Sequence, residues 1–546
     1  MIVGRPIPWL GIAPLLLFLL VLLVWPVLSL LLDSLADGAG VLGHYQRLWE
    51  TPIYRRALGT TLMIASLVTV LSVLLSYPLA YLLATSGPVA ARLLLFVVLL
   101  PFWTSALVRT AAWIVLLQRN GVLNSLLTGS GLLNEPMAFV YNLSGVLIGM
   151  THVLMPFVVL PLYAAFRGLD ANLVQAARGL GAGSGAVFRR VVLPLTAPGV
   201  LAGGLIVFMN ALGYYITPAL MGGPGQTMIA ELIAYHLLEA LDWGMAAALA
   251  ILLLLVTLAV FALFQRFFSL ERLWGGAAGG GVASPLAGER RGPGGRLAAL
   301  AALAVAAFLI APIVVVFPMS FGSSPFLAFP PADYSLRWYV SILDNPKWWR
   351  ATVNSLQVAG MAVVLASLLG TAAALGLSRL RGRFTGWLEG LFVMPMVMPA
   401  IVVALALYYF YAPLGWLGTL WGLALGHTLL AAPFVFITVR AALKNLDPNL
   451  ELAARGLGAG WSTVFLRVWL PAIWPGIAGG AVFAFIVSFD DVVIALFLTN
   501  IRTRTLPKVM FEGIAHEIDP TIISVAALLI LVSLTVLVLN LLLRRR

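Results

Sequence analysis

PFVVLPLYAAFRGLDANLVQAARGLGAGSGAVFRRVVLPLTAPGV, residues 156–200, lies without a gap on PFVFITVRAALKNLDPNLELAARGLGAGWSTVFLRVWLPAIWPGI, residues 433–477. Pro156 and Pro433, Gly181 and Gly458, and Pro194 and Pro471 each stand 277 positions apart, so one register runs through both copies. Each copy leaves an apolar run, crosses a polar stretch holding Asp, Asn, Arg and several Gly, and passes through Leu-Pro into the next apolar run. In the polar stretch, AARGLGAG carries good helix formers up to Gly181 or Gly458. VFRRVVLP or VFLRVWLP follows, short and amphipathic, with apolar residues that need a partner surface. The expected form is a short helix, a glycine bend and a second short helix, together a protruding knob.

The surroundings of the repeat fix the class. Of 546 residues, 62% are hydrophobic and 10% charged, against about 25% charged in a soluble chain. Apolar runs long enough to span a bilayer, about 20 residues each, fall near 10–32, 57–84, 91–117, 138–166, 196–220 and 244–268, and again near 297–319, 352–377, 386–411, 416–440, 472–498 and 521–543. The fold class expected is an all-α polytopic membrane protein of about twelve transmembrane helices in two pseudo-symmetric halves. The first half covers 1–274, with its loop at about 170–191. The second covers 297–546, with its loop at about 447–468. Between them GGAAGGGVASPLAGERRGPGGR, residues 275–296, has the composition of a flexible linker. The run Leu10–Leu32 is longer than the apolar core of a signal peptide, so Ser34, Leu35 and Ala36 are read as following a retained span rather than as a cleavage site.

The net charge of +12 comes from basic residues lying between apolar runs, where they orient the chain. With the amino terminus inside, 21 of the 32 Lys and Arg residues fall on the cytoplasmic side. Both termini and the linker are therefore expected in the cytoplasm, and nucleic acid is not an expected partner. The chain has no Cys, which excludes disulfides, thiolate metal sites and cysteine nucleophiles. Its five histidines form no HExxH or clustered ligand set, and no GxxxxGK[ST] phosphate loop is present. An intramembrane enzyme is excluded on those grounds, and no cofactor or metal is expected in this chain.

The duplicated loop resembles the EAA loop of ABC importer permeases: Glu-Ala-Ala, three residues, Gly, nine residues, Ile, any residue, Leu-Pro. The first copy matches at Ala176, Ala177, Gly181, Leu193 and Pro194, with Val191 for the Ile; the second at Ala453, Ala454, Gly458, Leu470 and Pro471, with Val468. Both depart from the pattern at the Glu, which is Gln175 in one and Leu452 in the other, although Glu451 stands immediately before. The resemblance implies two type I ABC importer halves and a coupling helix in each loop that docks on a separate ATPase subunit. Two ATPase copies, with ATP and Mg bound to them, are implied partners. An extracytoplasmic substrate-binding protein, membrane lipid and a small-molecule substrate complete the set, and the location implied is the bacterial inner membrane.

Two further stretches in each half narrow the branch. LPFWTSALVRTAAWIVLLQRNGVLN from Leu100 and GYYITPALMGGP from Gly213 resemble the first permease of the spermidine/putrescine class. SFDDVVIALFLT from Ser488 and LPKVMFEGIAHEIDPTIISV from Leu506 resemble its companion, so the chain looks like the two permeases fused, with a polyamine or related cation as cargo.

Asp490 and Asp491 fall within the eleventh run, where a carboxylate costs roughly 2.5 to 3.5 kcal/mol and needs a reason. They project about 100° apart on a helix. The readings open to them are attraction of an ammonium group in transit, or an inter-helix hydrogen bond or ion pair, with Arg109 one candidate partner. Trp103, Trp113, Tyr214 and Tyr215 either hold a cation by their ring faces or form packing and interfacial belts. Glu512, Glu517 and Asp519 lie in an expected outer loop, where they either receive the binding protein or form a solvated face. An ion-driven secondary transporter of small amines shares the twelve-span, two-half architecture; the paired loops favour the ATP-driven class.

Overall fold

A computed structural model describes residues 8–35, 42–267, 293–326, 329–380, 382, 384–517 and 519–543. The expected linker lies outside the described residues except for 293–296, where a helix has already begun. The described residues are all-α, with one isolated bridge between Gly322 and Tyr334. Among the described residues, eight helices are long and apolar enough to cross a membrane, and three bent pairs raise the number to 11. The helix Thr521–Leu543 follows them, 23 residues long.

The helices needed below are α1 (Pro8–Leu35), α2 (Pro52–Thr85), α3 (Ala171–Gly179), α4 (Ser184–Leu212), α5 (Ile216–Met221), α6 (Pro293–Ser320), α7 (Pro346–Arg379), α8 (Leu420–Lys444), α9 (Pro448–Gly456), α10 (Trp461–Asp490), α11 (Val493–Leu498) and α12 (Thr521–Leu543).

Three runs read as single spans are broken. Pro88–Trp103 and Ala106–Gly129 meet at 100°, Phe384–Val397 and Ala400–Leu414 at 95°, and Leu143–Leu154 and Pro156–Arg167 at 46°. The backbone turns extended at Thr104 and Ser105, with ψ 135° and 134°, and at Pro399, with ψ 128°; at the third break Pro156 donates no N–H. Ser105 then caps the new helix, its Oγ accepting the Leu107 N–H at 3.3 Å.

Two compact units divide the chain, and neither follows chain order. One holds 1–46, 241–251 and 345–509; the other holds 47–240, 252–344 and 510–546. In the first, α1 packs along α7, and α7 along α8 and α10. Glycines set the closeness of these contacts. A Cβ at Gly11 would meet the Ala372 carbonyl at 2.5 Å, and one at Gly376 the Pro8 carbonyl at 2.6 Å. In the second unit α2, α4 and Pro156–Arg167 pack together, with α6 against α2 and α12 against α6.

The repeat recurs in this packing. Gly203 of α4 lies against the Val158 backbone and Gly480 of α10 against the Val435 backbone, and a Cβ at either would meet the opposing Cα at 2.7 Å. Without a hydrophobic drive between helices in lipid, small residues that admit close backbone approach are a principal source of packing.

Candidate coupling loops and transport path

Both repeat loops fold alike for reasons written in their sequence. Asp170 caps α3, its Oδ1 accepting the Asn172 N–H at 2.9 Å; Asp447 caps α9 through the Asn449 N–H, also at 2.9 Å. Each helix ends in a glycine with positive φ, +82° at Gly181 and +81° at Gly458. Ala182 N–H reaches the Ala177 carbonyl and Ala459 N–H the Ala454 carbonyl, both at 3.1 Å. That is the Schellman closure, which favours glycine at the left-handed residue.

Beyond the bend the structure departs from the second short helix expected. VFRRVVLP and VFLRVWLP are the opening turns of α4 and α10 and run straight into the spans. Pro194 and Pro471 offer no N–H and would crowd the carbonyl four residues back. The backbone widens to accommodate them, with Leu193 N–H donating to the Phe188 carbonyl and Leu470 N–H to the Phe465 carbonyl across π-helical turns.

The loops turn equivalent faces outward. Leu180 and Leu457 are each 89% exposed at the tips. Gln175, Ala176, Leu452 and Ala453 are exposed, with Ala177 and Ala454 half-buried behind them. Leu193, Pro194 and Pro471 are exposed at the bases of the spans, and Leu470 is half-buried. Where the EAA pattern has its Glu, this chain thus presents Gln175 and Leu452. Glu451 occupies the place of Val174, which is 2% exposed, and it faces inward.

The inward faces differ. In the first loop Val174, Val187 and Val192 join an apolar cluster with Leu83, Leu162 and Phe166. Phe166 meets Tyr77 and Tyr81 edge-on at 5.4 and 5.9 Å, and Tyr77 meets Phe188 at 5.7 Å. In the second loop, Glu451 Oε1 lies 2.7 Å from Arg455 and 3.6 Å from Arg379, the last residue of α7. The Arg379 guanidinium stacks over Trp461 at 3.9 Å and Trp469 at 4.4 Å. Nearby, Arg440 Nη2 of α8 donates to Glu389 Oε1 at 2.6 Å. A single-sequence reading of motifs passes over Arg379, Trp461 and Trp469. Aligning the repeats exposes them, because Ser184 and Val192 become Trp461 and Trp469.

The eleventh run breaks at the two acids. Asp490 ends α10 half-buried. Asp491 caps α11, its Oδ2 accepting the Ile494 and Ala495 N–H groups at 2.8 and 3.2 Å and lying 3.4 Å from His427 Nε2. His427 Nδ1 is 2.8 Å from Ser488 Oγ. His427 of α8 is thus the side chain nearest the Asp491 carboxylate across the helix pair. Two backbone N–H donors offset part of the cost of burying the carboxylate. His427 and Ser488 stand 61 residues apart with no motif between them, so only the fold unites them.

Gly213, Tyr214 and Tyr215 make the corresponding break between α4 and α5, both tyrosines half-buried and Tyr215 5.7 Å from Phe511. Trp103 stands half-buried at the 100° bend. Trp113 is a packing residue, buried with its ring 5.1 Å from Phe308 and 5.7 Å from His152. Arg109 is buried on the same helix, and its Nε donates to the Ser105 carbonyl at 3.4 Å.

Of the acids expected to meet a binding protein, Glu512 is half-buried at the end of Leu506–Glu512. Asp519 caps α12 through the Thr521 N–H at 2.9 Å and lines a cleft of about 150 Å³ with Tyr141, Ile114, Ile514 and Ile522. The Glu517 side chain lies outside the described residues. Among the described residues no group of three or more His, Asp or Glu could hold a metal ion.

Each unit carries broken spans and one copy of the capped loop. Residues 1–269 and 362–546 match the family described as the binding-protein-dependent transport system inner membrane component, and the chain belongs to that family. It is a multi-pass membrane protein of the ABC transporter permease class, a class that is not itself catalytic. It is 35% identical over 230 residues to the spermidine/putrescine transport system permease protein PotB of Haemophilus influenzae, covering 42% of this chain and 80% of that protein. To PotB of Escherichia coli K12 it is 37% identical over 215 residues, 39% of this chain and 78% of the relative. To PotC of the same organism it is 31% identical over 242 residues, 44% of this chain and 91% of the relative.

Proposed function

We propose that this chain is the transmembrane permease core of an ATP-driven importer that takes up polyamines or related small cations delivered by an extracytoplasmic binding protein. The observation that carries it is the pair of matched loops, each with the same caps, the same glycine bend and a leucine 89% exposed at its tip. An isolated leucine so exposed has no folding role; a pair of them 277 residues apart on identical scaffolds fits two identical grooves on two ATPase copies.

In this reading ATP and Mg are bound and hydrolysed on those subunits, and both loops and both termini face the cytoplasm. Gln175, Ala176, Ala177 and Gly181 form the first docking face with Leu193 and Pro194 at its base. Ala453, Ala454, Gly458, Leu470 and Pro471 belong to the second, with Glu451 supporting it from the inner side. The breaks at Tyr214 and Tyr215 in one unit and at Asp490 and Asp491 in the other are where each unit meets cargo, with Trp103 at a further bend. Interrupted helices at matching places in two repeats mark transport sites, because freed backbone groups and helix ends can face a polar guest. The loop bearing Glu512, Glu517 and Asp519 receives the binding protein. Lipid surrounds the spans, and nucleic acid has no part.

The test is reconstitution of the chain with its ATPase and binding protein in liposomes. Uptake of a radiolabelled diamine that requires enclosed ATP, and hydrolysis stimulated by the loaded binding protein, are the expected results. Uptake that survives without the ATPase and collapses with an ionophore would replace this reading with the ion-driven one.

A further inference from the structure

We propose that Arg379, Glu451, Trp461 and Trp469 are positioning residues that latch the second coupling loop to the end of α7, a fastening the first loop does not share. The inference rests on the coupling role proposed above. Its basis is a comparison internal to the chain. α2 and α7 are both 34 residues long and begin at Pro52 and Pro346, so Thr85 closes one where Arg379 closes the other. Across the 277-residue offset, Val174 answers to Glu451, Ser184 to Trp461 and Val192 to Trp469. Four positions that are small or apolar in one half have become a cation, an anion and two indoles in the other, and the fold gathers all four.

The geometry is specific. The guanidinium carbon of Arg379 lies 3.9 Å from the Trp461 ring centre and 4.4 Å from that of Trp469. The two rings meet edge-on at 5.7 Å and 72°. Glu451 bridges Arg379 and Arg455, and Arg455 in turn sits 5.5 Å over Trp461. One side chain from α7 is thereby held by two rings and a carboxylate from the loop. The Arg379 and Glu451 side chains retain only 18% and 25% of their exposure, so the cluster is partly withdrawn from water, where cation–π contacts gain strength.

Apolar packing of the kind beneath the first loop is non-directional and tolerates small slides. A planar guanidinium stacked on two rings and paired with a carboxylate fixes orientation as well as distance, a role lysine does not fill. The second loop and α7 consequently move as one piece, and motion received at Leu457 passes to α7 without slack.

The chain has no cysteine, so L457C or L180C gives a unique nitroxide site at an equally exposed position. In the full chain in lipid nanodiscs, R379Q and E451Q are expected to mobilise the label at 457 and leave that at 180 unchanged, with R379K intermediate. In the reconstituted complex, without labels, R379Q is expected to lower cargo transported per ATP several-fold while thermal unfolding of the chain stays close to that of the natural protein. Equal responses at 180 and 457, or none at 457, overturn the latch. If R379Q does not accumulate in the membrane, W461L, which keeps both charges and removes one ring, is read in the same way. L457D separates the two claims. Uptake unaffected by L457D refutes the coupling role itself, whereas uptake lost in L457D but transport per ATP unchanged in R379Q refutes the latch alone.

Discussion

The two repeat loops have one backbone and two undersides. Asp caps, helix lengths, glycine torsions and π-helical turns coincide between α3 with the start of α4 and α9 with the start of α10. Below them, Phe166, Tyr77 and Tyr81 support the first by ring and aliphatic contact, while Arg379, Glu451 and two tryptophans support the second. The caps, bends and tip leucines that shape the exposed face coincide between the halves, apart from Gln175 and Leu452, while the residues beneath differ in chemistry. Under the coupling role proposed above, the outward faces meet one common kind of partner, whereas each inward face packs only on its own half.

The most severe way to probe that constancy is to remove the bend. Deleting Gly181–Gly183 or Gly458–Gly460 destroys the closure that sets the tip leucine, and either deletion alone is expected to abolish ATP-dependent uptake and binding-protein stimulation of hydrolysis. Liposome uptake with the full complex measures it. A chain that tolerated one deletion and not the other would break the equivalence of the two faces.

The undersides should respond unequally. Phe166 is fully buried against two aromatic neighbours, and F166A is expected to destabilise the chain by about 3 to 5 kcal/mol. Its counterpart Leu443 is half-buried, and L443A should cost less than about 2 kcal/mol. Thermal unfolding in detergent, followed by a conformation-sensitive dye, distinguishes them. Equal losses would mean that the second loop also depends chiefly on apolar support. At the bends the expectation reverts to equality: G181V and G458V place a branched residue at φ near +80° with open space around the new Cβ, so each should cost roughly 1 to 2 kcal/mol from backbone strain alone.

Much of this was legible in the sequence, and the reason is local. Apolar run length fixes the spans, Gly181 and Gly458 announce the bends, and a 277-residue register announces the duplication. The broken spans were less so, because apolar length alone does not say that the chain will turn by nearly a right angle at Thr104–Ser105 or at Pro399. The composition of the compact units was not legible at all. That α1 packs on α7 depends on Gly11 and Gly376 meeting across 365 positions, and small residues carry no address. The His427–Asp491–Ser488 group and the Arg379 cluster share that cause. Their members are ordinary in their own segments, and they become a site only through helix packing.

The smallest effect offers the finest comparison. Asp170 and Asp447 cap their helices at the same 2.9 Å, and replacing an N-cap aspartate by alanine costs about 1 kcal/mol, so D170A and D447A should shift thermal unfolding alike. Local opening is a different quantity, since an N-terminal turn can fray without the rest of the chain unfolding. In α3 the first turn carries the buried Val174, held through apolar contact. In α9 the residue at the same position is Glu451, tied to both Arg379 and Arg455, so the turn keeps a lateral hold after its cap is lost. Amide hydrogen exchange at Asn172 and Leu173 should therefore accelerate more in D170A than exchange at Asn449 and Leu450 does in D447A. Mass-resolved exchange on the full chain in nanodiscs reads both segments in one experiment. Acceleration of equal size would show that the charged underside holds its helix no better than the apolar one.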